Sequence, residues 1–270
     1  MDYQDIIYTK EEGVATITLN RPDARNSYIP EMLEGIFYAM KDAAEDDGVR
    51  VLVLTGAGQA FCAGADVKAM AERIDRTSGE HREREQRVIE KQRVFEKQFF
   101  ASLHRFEKPL IAAVNGVAAG AGLDIALGCD FRIASDKARF AEVFIRRGLI
   151  PVGGGTYYLP RLVGIDRACL LILTGDMIDA KEAERIGLVT MVVPHEELES
   201  ATWELAAKLV KAPPLAIKKA KRAIYDGLTM DLESTLEYVA PIIKELHETE
   251  DHKEGAKAFV EKREPVFKGR

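Results

Sequence analysis

Short apolar runs alternate with amphipathic stretches through the first half of the chain. Residues 14–19 alternate in character and predict a short strand, closed by a turn-rich segment. Residues 51–54 and 110–114 are continuous apolar runs, typical of strands buried on both faces, and 131–133 is a third case. Apolar residues at helical spacing predict a helix over 28–47. Strands separated by helices indicate crossover connections, so we expect an α/β fold rather than a β-sandwich.

The remainder of the chain has a mainly helical pattern. Residues 80–106 predict one long helix that begins densely charged and ends apolar. After Pro194 strand signals almost vanish, and four further helices are predicted over 196–210, 213–226, 230–248 and 251–263. We therefore divide the chain into a core, residues 1–195, and a C-terminal helical region, residues 196–270, that packs on the core or on a neighbouring subunit.

Composition and charge narrow the class of protein. The 270 residues carry 38 Lys and Arg against 44 Asp and Glu, a net charge of −6, which argues against nucleic acid or an anionic membrane as the main partner. No apolar run approaches the roughly 18 residues of a membrane span, and we expect no secretory peptide. The cysteines are odd in number, lack CxxC spacing, and are expected to be buried small hydrophobes in a cytoplasmic protein: Cys62, Cys129 and Cys169.

Common catalytic motifs are missing from the sequence. It contains no GxxxxGK[ST], HExxH or GxSxG pattern, and no GxGxxG opens a helix after a strand. The five histidines are scattered without a partner pattern, so surface or structural roles are favoured for them. Metal, nucleotide and Ser–His chemistry all lose support.

Two places where a buried strand runs into very small residues remain as candidate sites. They are residues 51–68, VLVLTGAGQAFCAGADVK, and residues 110–126, LIAAVNGVAAGAGLDIA. Small side chains allow a ligand to approach the backbone, and a helix N-terminus offers free N–H groups. Two such N–H groups converging on one point would form an oxyanion hole. The alternative interpretation is that the small residues only permit close packing of helix on strand.

Five ordered segments resemble the crotonase (enoyl-CoA hydratase/isomerase) superfamily, and the resemblance runs nearly end to end. The segments are NRPDARN (20–26), AFCAGADVKAM (60–70), AAVNGVAAGAGLDIALGCDFRIAS (112–135), ARFAEVFIRRGLIPVGGGTYYLPRLVG (138–164) and AFVEKREPVFKGR (258–270). The resemblance implies an α/β fold with a twisted ββα spiral core and a C-terminal helical trimerisation region. It also implies assembly as a homotrimer or as a hexamer made of two trimers.

The resemblance further implies a coenzyme A thioester substrate and no metal or redox cofactor, since CoA arrives as part of the substrate. The backbone N–H groups of Ala65 and Ala121 would bind the thioester carbonyl. Most relatives carry Gly at the second position, and Ala should be tolerated there because the donor is the backbone.

CoA recognition would use two backbone segments. The candidate CoA-binding residues are Ala24, Arg25, Ala63, Ala65, Asp66, Val67 and Lys68. The side chains of Arg25 and Lys68 are possible partners for CoA phosphates, and Lys262 and Lys268 of the tail could add positive charge. Ordinary solvated surface roles stay open for all four.

The expected acid/base pair departs from the superfamily pattern. A hydratase normally has two Glu residues, and this chain has Asp124 and Phe144 at those positions. Asp124 lies in an apolar helix, which predicts a raised pKa suited to proton transfer; the alternative is a carboxylate that serves only the helix start. Glu142, two residues before Phe144, is the carboxylate that could replace the missing one. An ion pair with Arg146 or Arg147 is its alternative.

Three functions remain open on the sequence. Some relatives that move a double bond use Asp at the first position, whereas others use one where this chain has Val152. A single acid/base favours isomerisation of an enoyl-CoA, and hydration stays possible if Glu142 or a water substitutes. The third is a CoA-thioester-binding protein with little catalysis, because Phe144 cannot transfer a proton. Phe144, Tyr157 and Tyr158 could also shape the acyl pocket.

Overall fold

The main sheet begins with a hairpin that the sequence did not reveal. A computed structural model describes residues 3–66 and 82–270, and in it β1 (Ile6–Glu11) pairs antiparallel with β2 (Val14–Leu19). The connecting Glu12 and Gly13 both have positive φ, 47° and 83°, as a two-residue hairpin turn requires. Only Ile6 of β1 is buried, which explains why no alternating pattern marks this edge strand.

Parallel strands complete the main sheet. Its order is β1-β2-β3-β5-β7-β10, and the strands after β2 in this order are β3 (Val51–Gly56), β5 (Leu110–Val114), β7 (Phe131–Ser135) and β10 (Met191–Val193). All pairs from β2 onward are parallel. Every residue of β5 is buried, which accounts for its unbroken apolar run. The strands predicted from the sequence are confirmed.

A second, smaller sheet follows the order β4-β6-β8-β9. Its strands are β4 (Ala60–Cys62), β6 (Val117–Ala119), β8 (Arg139–Ala141) and β9 (Ile178–Asp179). The first three are parallel and each follows a main-sheet strand after a short corner, which produces the repeated ββα path of the core. Strands of two or three residues are too short to show periodicity, so the sequence did not predict them.

Helices cover both faces of the main sheet. They are α1 (Pro30–Glu45), α2 (Arg82–Arg105), α3 (Ala121–Leu127), α4 (Gly155–Val163), α5 (Ile165–Thr174), α6 (Ala180–Arg185), α7 (Leu198–Val210), α8 (Pro214–Gly227), α9 (Leu232–His247) and α10 (Glu250–Glu261). In α1, Pro30 occupies the first turn, and Met32, Leu33, Ile36 and Met40 face the core at helical spacing. Within the described ranges, no helix combines the length and apolar character needed to cross a membrane.

The four helices predicted after Pro194 are confirmed as α7 to α10. Leu198 and Ala206 of α7 join the apolar cluster under β3 and β5. Helix α8 is held by a half-buried ion pair, Lys221 Nζ to Asp130 Oδ2 at 2.7 Å, and by Tyr225, whose hydroxyl donates to Asp130 Oδ1 at 2.9 Å. These contacts tie the helix to the loop before β7.

Two asparagine side chains hold the corner where β3 passes into β4. Asn26 is fully buried, and its Nδ2 donates to the carbonyl oxygens of Ala57 and Ala60 at 2.9 and 2.7 Å. Asn115 Nδ2 donates to the carbonyl oxygens of Gly56 and Gly58 at 2.8 and 2.9 Å. Both amides satisfy corner carbonyls that neither sheet can pair, and so they keep the two sheets in a fixed relation.

The cysteine prediction holds for two of the three residues. Cys62 and Cys129 are buried, and burial raises the pKa of each thiol to about 12. Cys169 is exposed on α5, so its predicted burial is wrong. Its apolar neighbours Leu170 and Leu173 are exposed as well, 61% and 66%, which shows that an apolar stretch here marks a surface and not the core.

Replacing Gly122 with Ala tests the close contact between α3 and the end of β4. A Cβ on Gly122 would overlap the carbonyl oxygen of Cys62, whereas one on Gly227 would meet Thr235 at an ordinary 3.5 Å. Both glycines are helical, so both variants gain helix propensity. We expect Gly122→Ala to lower the free energy of unfolding by about 1–3 kcal/mol relative to Gly227→Ala in urea titrations. Equal stabilities would contradict the described contact.

Candidate active site

Two backbone segments in direct contact form the floor of the candidate site. One is residues 62–65, after β4, and the other is residues 119–122, where β6 passes into α3. A Cβ on Gly64, whose φ is 95°, would lie 2.8 Å from the carbonyl oxygen of Ala119 and 3.6 Å from the nitrogen of Ala121. The two predicted junctions therefore meet, and they bring Ala65 and Ala121 close together.

The N–H groups of Ala65 and Ala121 take no part in the hydrogen bonding of the described helices and strands. Tyr28 N–H donates to Gly64 O at 2.9 Å and Asp66 N–H donates to Tyr28 O at 3.0 Å, so the N–H of Ala65 is directed away from this bridge. Ala121 is the first residue of α3, which begins its hydrogen bonding only with Asp124 N–H to Gly120 O at 3.0 Å. Among residues 3–66 and 82–270, neither N–H group has an acceptor.

The candidate CoA-binding segments also lie side by side. Ala63 N–H donates to the carbonyl oxygen of Arg25 at 3.0 Å, which joins residues 24–26 to 63–66. The Arg25 side chain is exposed, and Ala24 is half-buried. Asp66 is paired with Arg21, with 3.2 Å between Oδ2 and Nη2. Val67 and Lys68, also predicted here, lie outside the described residues.

Asp124 and Glu142 face each other in the interior. Asp124 lies on α3, and Glu142 immediately precedes a 3-10 helix over Val143–Arg147; both are fully buried. A Cβ on Gly155 would lie 2.6 Å from Glu142 Oε1 and 2.8 Å from Asp124 Oδ1, so the two carboxyl groups border the same small volume. Gly153 N–H donates to Asp124 Oδ2 at 2.8 Å. In the described part of the chain, Asp124 Oδ1 and both Glu142 oxygens have no hydrogen-bond partner.

The surroundings of this pair raise both pKa values. Burial raises the pKa of Asp124, as its apolar helix predicted, and the backbone N–H groups of Gly153 and Gly155 oppose the rise. Burial raises the pKa of Glu142 further, and the charge of Asp124 adds to the effect without any opposing donor. The proposed ion pair of Glu142 with Arg146 or Arg147 is wrong, because Glu142 is buried while Arg146 is paired with Asp176 at 3.2 Å.

Several aromatic side chains lie in the region around the pair. Phe144 is buried, and its ring would be 3.7 Å from a Cβ on Gly120, the residue before Ala121. Tyr28 and Tyr158 are buried phenols whose pKa values are raised mainly by burial and also by the charge of Asp124. Tyr157 stacks edge-on with Tyr158, ring centres 5.2 Å apart, and faces His104 on α2.

Sequence reasoning missed Tyr28 and the two glycines that lie next to the carboxyl groups of Asp124 and Glu142. Gly153 donates its N–H to Asp124, and Gly155 leaves room for both carboxyl groups, because a Cβ there would lie within 3 Å of each. Three consecutive glycines before a helix are the signal that could have indicated such a close approach. Tyr28 had no signal, since a lone tyrosine before a helix is common.

Comparisons with known proteins agree with this arrangement. The family model described as enoyl-CoA hydratase/isomerase matches residues 9–270. The short-chain-enoyl-CoA hydratase of Clostridium acetobutylicum is 40% identical over 266 residues, 97% of each chain. The trans-2-decenoyl-[acyl-carrier-protein] isomerase of Streptococcus mutans is 34% identical over 270 residues, 100% of each chain. The crystal structure of enoyl-CoA hydratase from Bacillus anthracis matches with a TM-score of 0.91 at 37% identity, covering 99% of this chain and 100% of that one.

The chain belongs to the enoyl-CoA hydratase/isomerase family and has the crotonase fold. It is therefore an enzyme of a family whose members include lyases and isomerases. The predictions of fold class and family are confirmed. The division into a core over 1–195 and a helical region over 196–270 stays a prediction.

The buried carboxyl pair should make stability depend on pH. The folded pKa values of Asp124 and Glu142 exceed their ordinary values of 3.8 and 4.5, so the folded state binds more protons and stability falls as pH rises above about 4.5. The side chain of Glu142→Gln is neutral at every pH, so this variant should lose less stability than wild type as pH rises. Urea unfolding between pH 5 and pH 8 measures the difference, because in this range the Glu142 carboxyl is ionised in the unfolded chain and still protonated in the folded one.

The exposed Glu34→Gln on α1 is the matched control for this measurement, because it removes the same charge without touching the pair. A constant offset between wild type and Glu142→Gln at every pH would reflect packing alone. Parallel profiles of that kind would contradict the raised pKa of Glu142.

Proposed function

We propose that the protein isomerises the double bond of an enoyl-CoA thioester, with Asp124 as the acid/base. The observation that carries this proposal is the buried Asp124 carboxyl one helical turn after Ala121, whose free N–H begins the same helix. A carbonyl held at Ala121 would present its α-carbon to a base on the adjacent turn. Helix α3 would thus supply both the N–H group that binds the carbonyl oxygen and the carboxylate that accepts the proton.

Stabilisation of the enolate is assigned to the two backbone donors. The N–H groups of Ala65 and Ala121 would bind the thioester oxygen and strengthen their hold as negative charge develops on it. Each such donor contributes about 3 kcal/mol to transition-state stabilisation in comparable sites. The direct contact between the two segments supports this role, because it fixes the donors before substrate binds.

Asp124 is suited to removing a proton next to a carbonyl. Burial raises its pKa, so the carboxylate is a stronger base than an exposed aspartate would be. The Gly153 N–H keeps one of its oxygens in place and leaves the other free to accept the proton. The electron pair of the broken C–H bond passes into the enolate held by Ala65 and Ala121.

Isomerisation is favoured over hydration because of Phe144. A hydratase must hold and activate water, and the position where the family pattern has its second glutamate carries an aromatic ring beside Gly120. The apolar ring excludes water from this side. Hydration is the second candidate, since Glu142 gives the site two carboxyl groups and the short-chain-enoyl-CoA hydratase is among the relatives.

The CoA moiety is assigned to the surface beside the oxyanion donors. Backbone of residues 24–26 and 63–66 would contact it, and the exposed Arg25 side chain, with Lys68, would meet its phosphates. These cations act locally in a chain of net charge −6.

We also assign a homotrimeric assembly, or a hexamer of two trimers, to the C-terminal helices. Helices α8 and α9 bury no residue completely, and several of their large apolar side chains are exposed, as are two of α10. The most exposed of them are Ile224, Leu232, Leu236, Phe259 and Val260. Apolar area of this extent is typical of subunit interfaces.

Asp124→Asn tests the catalytic assignment. The amide preserves the shape of the side chain but cannot accept the proton, so we expect turnover of 3-hexenoyl-CoA to fall by roughly 10²–10⁴-fold. Crotonyl-CoA, a 2-enoyl substrate, should be hydrated slowly by wild type. Unchanged turnover in Asp124→Asn would refute the role of Asp124. Tight CoA-ester binding without turnover by the wild type would favour the CoA-thioester-binding alternative.

A carbonyl-free analogue tests the oxyanion donors. Butyryl-CoA and its thioether, S-butyl-CoA, differ only in the carbonyl oxygen that Ala65 and Ala121 would bind. Two neutral hydrogen bonds contribute roughly 1–3 kcal/mol, so the thioether should bind about tenfold more weakly in calorimetric titration. Equal affinities would contradict recognition of the carbonyl oxygen.

A further inference from the structure

Glu142 is a buried carboxyl group to which the mechanism above gives no role. It is fully buried, and neither of its oxygens has a hydrogen-bond partner within residues 3–66 and 82–270. Its Oε1 and Asp124 Oδ1 both lie within 3 Å of the space above Gly155. A structural carboxyl group would be expected to have donors around it. The charge that acts on Glu142 is that of another carboxyl group, Asp124.

Electrostatics limits how the two groups can be charged. Two carboxylates cannot both ionise cheaply in such a small buried space, so the pair retains a proton. Asp124 receives a hydrogen bond from Gly153 N–H at the start of α4, whereas Glu142 receives none in the part of the chain that the structure describes. The ionised form is therefore stabilised on Asp124, and the retained proton belongs on Glu142.

The neighbouring titratable groups leave this assignment unchanged. Tyr28, which precedes α1, and Tyr158 on α4 sense the charge of Asp124, and burial keeps both phenols neutral near neutral pH. Glu96 on α2 faces Tyr28, and His104 on α2 faces Tyr157 and Tyr158. The nearest arginines on the 142–147 segment are directed outward, with Arg146 paired to Asp176.

We propose that Glu142 is a second catalytic residue, which enters the cycle as a carboxylic acid and donates its proton to the γ-carbon of the substrate. This proposal rests on the isomerase function proposed above, and it assigns the two proton transfers of that reaction to two different carboxyl groups. Asp124 acts at the α-carbon and Glu142 at the γ-carbon, so neither side chain has to move along the acyl chain between steps.

The proposed cycle balances in atoms and electrons. Asp124 accepts a proton from Cα of a 3-enoyl thioester; that C–H bond breaks, an O–H bond forms, and the electron pair delocalises onto the thioester oxygen. The dienolate then takes the proton of Glu142 at Cγ; its O–H bond breaks and a C–H bond forms. The product is the 2-enoyl thioester, with Asp124 protonated and Glu142 ionised. Transfer of the proton from Asp124 to Glu142 above Gly155 restores the resting pair.

A single-turnover labelling experiment on the wild-type enzyme tests this division. With enzyme in excess over 3-hexenoyl-CoA deuterated at C2, the deuteron removed by Asp124 remains on Asp124 while Glu142 delivers an ordinary proton. The first product should therefore carry no transferred deuterium at C4. Transfer of deuterium from C2 to C4 in the first turnover would show one group acting at both carbons and would overturn the proposal.

Variants separate the two proton transfers. Proton exchange at Cα of butyryl-CoA in heavy water needs Asp124 alone, whereas isomerisation needs both groups. We expect Glu142→Gln to lose isomerisation by at least about 100-fold and to retain Cα exchange within a few fold. Glu142→Asp should recover part of the isomerisation. The exposed Glu34→Gln is the control and should leave both activities unchanged.

The outcomes distinguish this inference from the function on which it rests. Loss of both activities in Asp124→Asn with full isomerisation in Glu142→Gln would overturn the role of Glu142 and leave the isomerase function standing. Retention of exchange and isomerisation in Asp124→Asn would refute the isomerase mechanism itself. Loss of Cα exchange in Glu142→Gln would contradict the division of labour, and the wild-type labelling result does not depend on how that variant folds.

Discussion

Residues 62–65 and 119–122 pack backbone against backbone, and this contact sets the geometry of the candidate site. A side chain on Gly64 would crowd the Ala119 carbonyl, and one on Gly122 would overlap that of Cys62, so the two backbones approach as closely as their atoms permit. This contact fixes the start of α3 against the end of β4. The free N–H groups of Ala65 and Ala121, and the position of Asp124 one turn later, are direct consequences of it.

The carboxyl pair is a cost that the surrounding fold must offset. Two buried carboxyl groups with few donors destabilise the folded state, and the effect grows as pH rises through their raised pKa values. Elsewhere in the core the amide nitrogens of Asn26 and Asn115 donate to corner carbonyls that the sheets leave open. Strained or poorly solvated polar groups of this kind concentrate at functional sites because chemistry requires them there.

The sequence predicted the elements whose signal is local. The strand Leu110–Val114 could be predicted from its apolar run because every one of its residues is buried. The raised pKa of Asp124 could be predicted from the apolar helix that contains it. The short strands of the second sheet have two or three residues each and carry no period. The sequence named Glu142 as a candidate partner of Asp124 but could not place the two side chains together, because their contact depends on the tertiary packing of α3 against the segment before Val143–Arg147 and on the room left by Gly155.

The local backbone explains how residues 142 and 144 can have different surroundings. Glu142 has φ −94° and ψ 74° and precedes the 3-10 helix that begins at Val143. Its side chain lies towards Asp124, whereas Phe144, the second residue of that helix, lies near Gly120. An extended strand would have put both on one face. Under the proposed function, the fold thus keeps a second carboxyl group beside Asp124 while an aromatic ring replaces the polar group that would hold water. That combination favours moving protons between carbons over adding water across them.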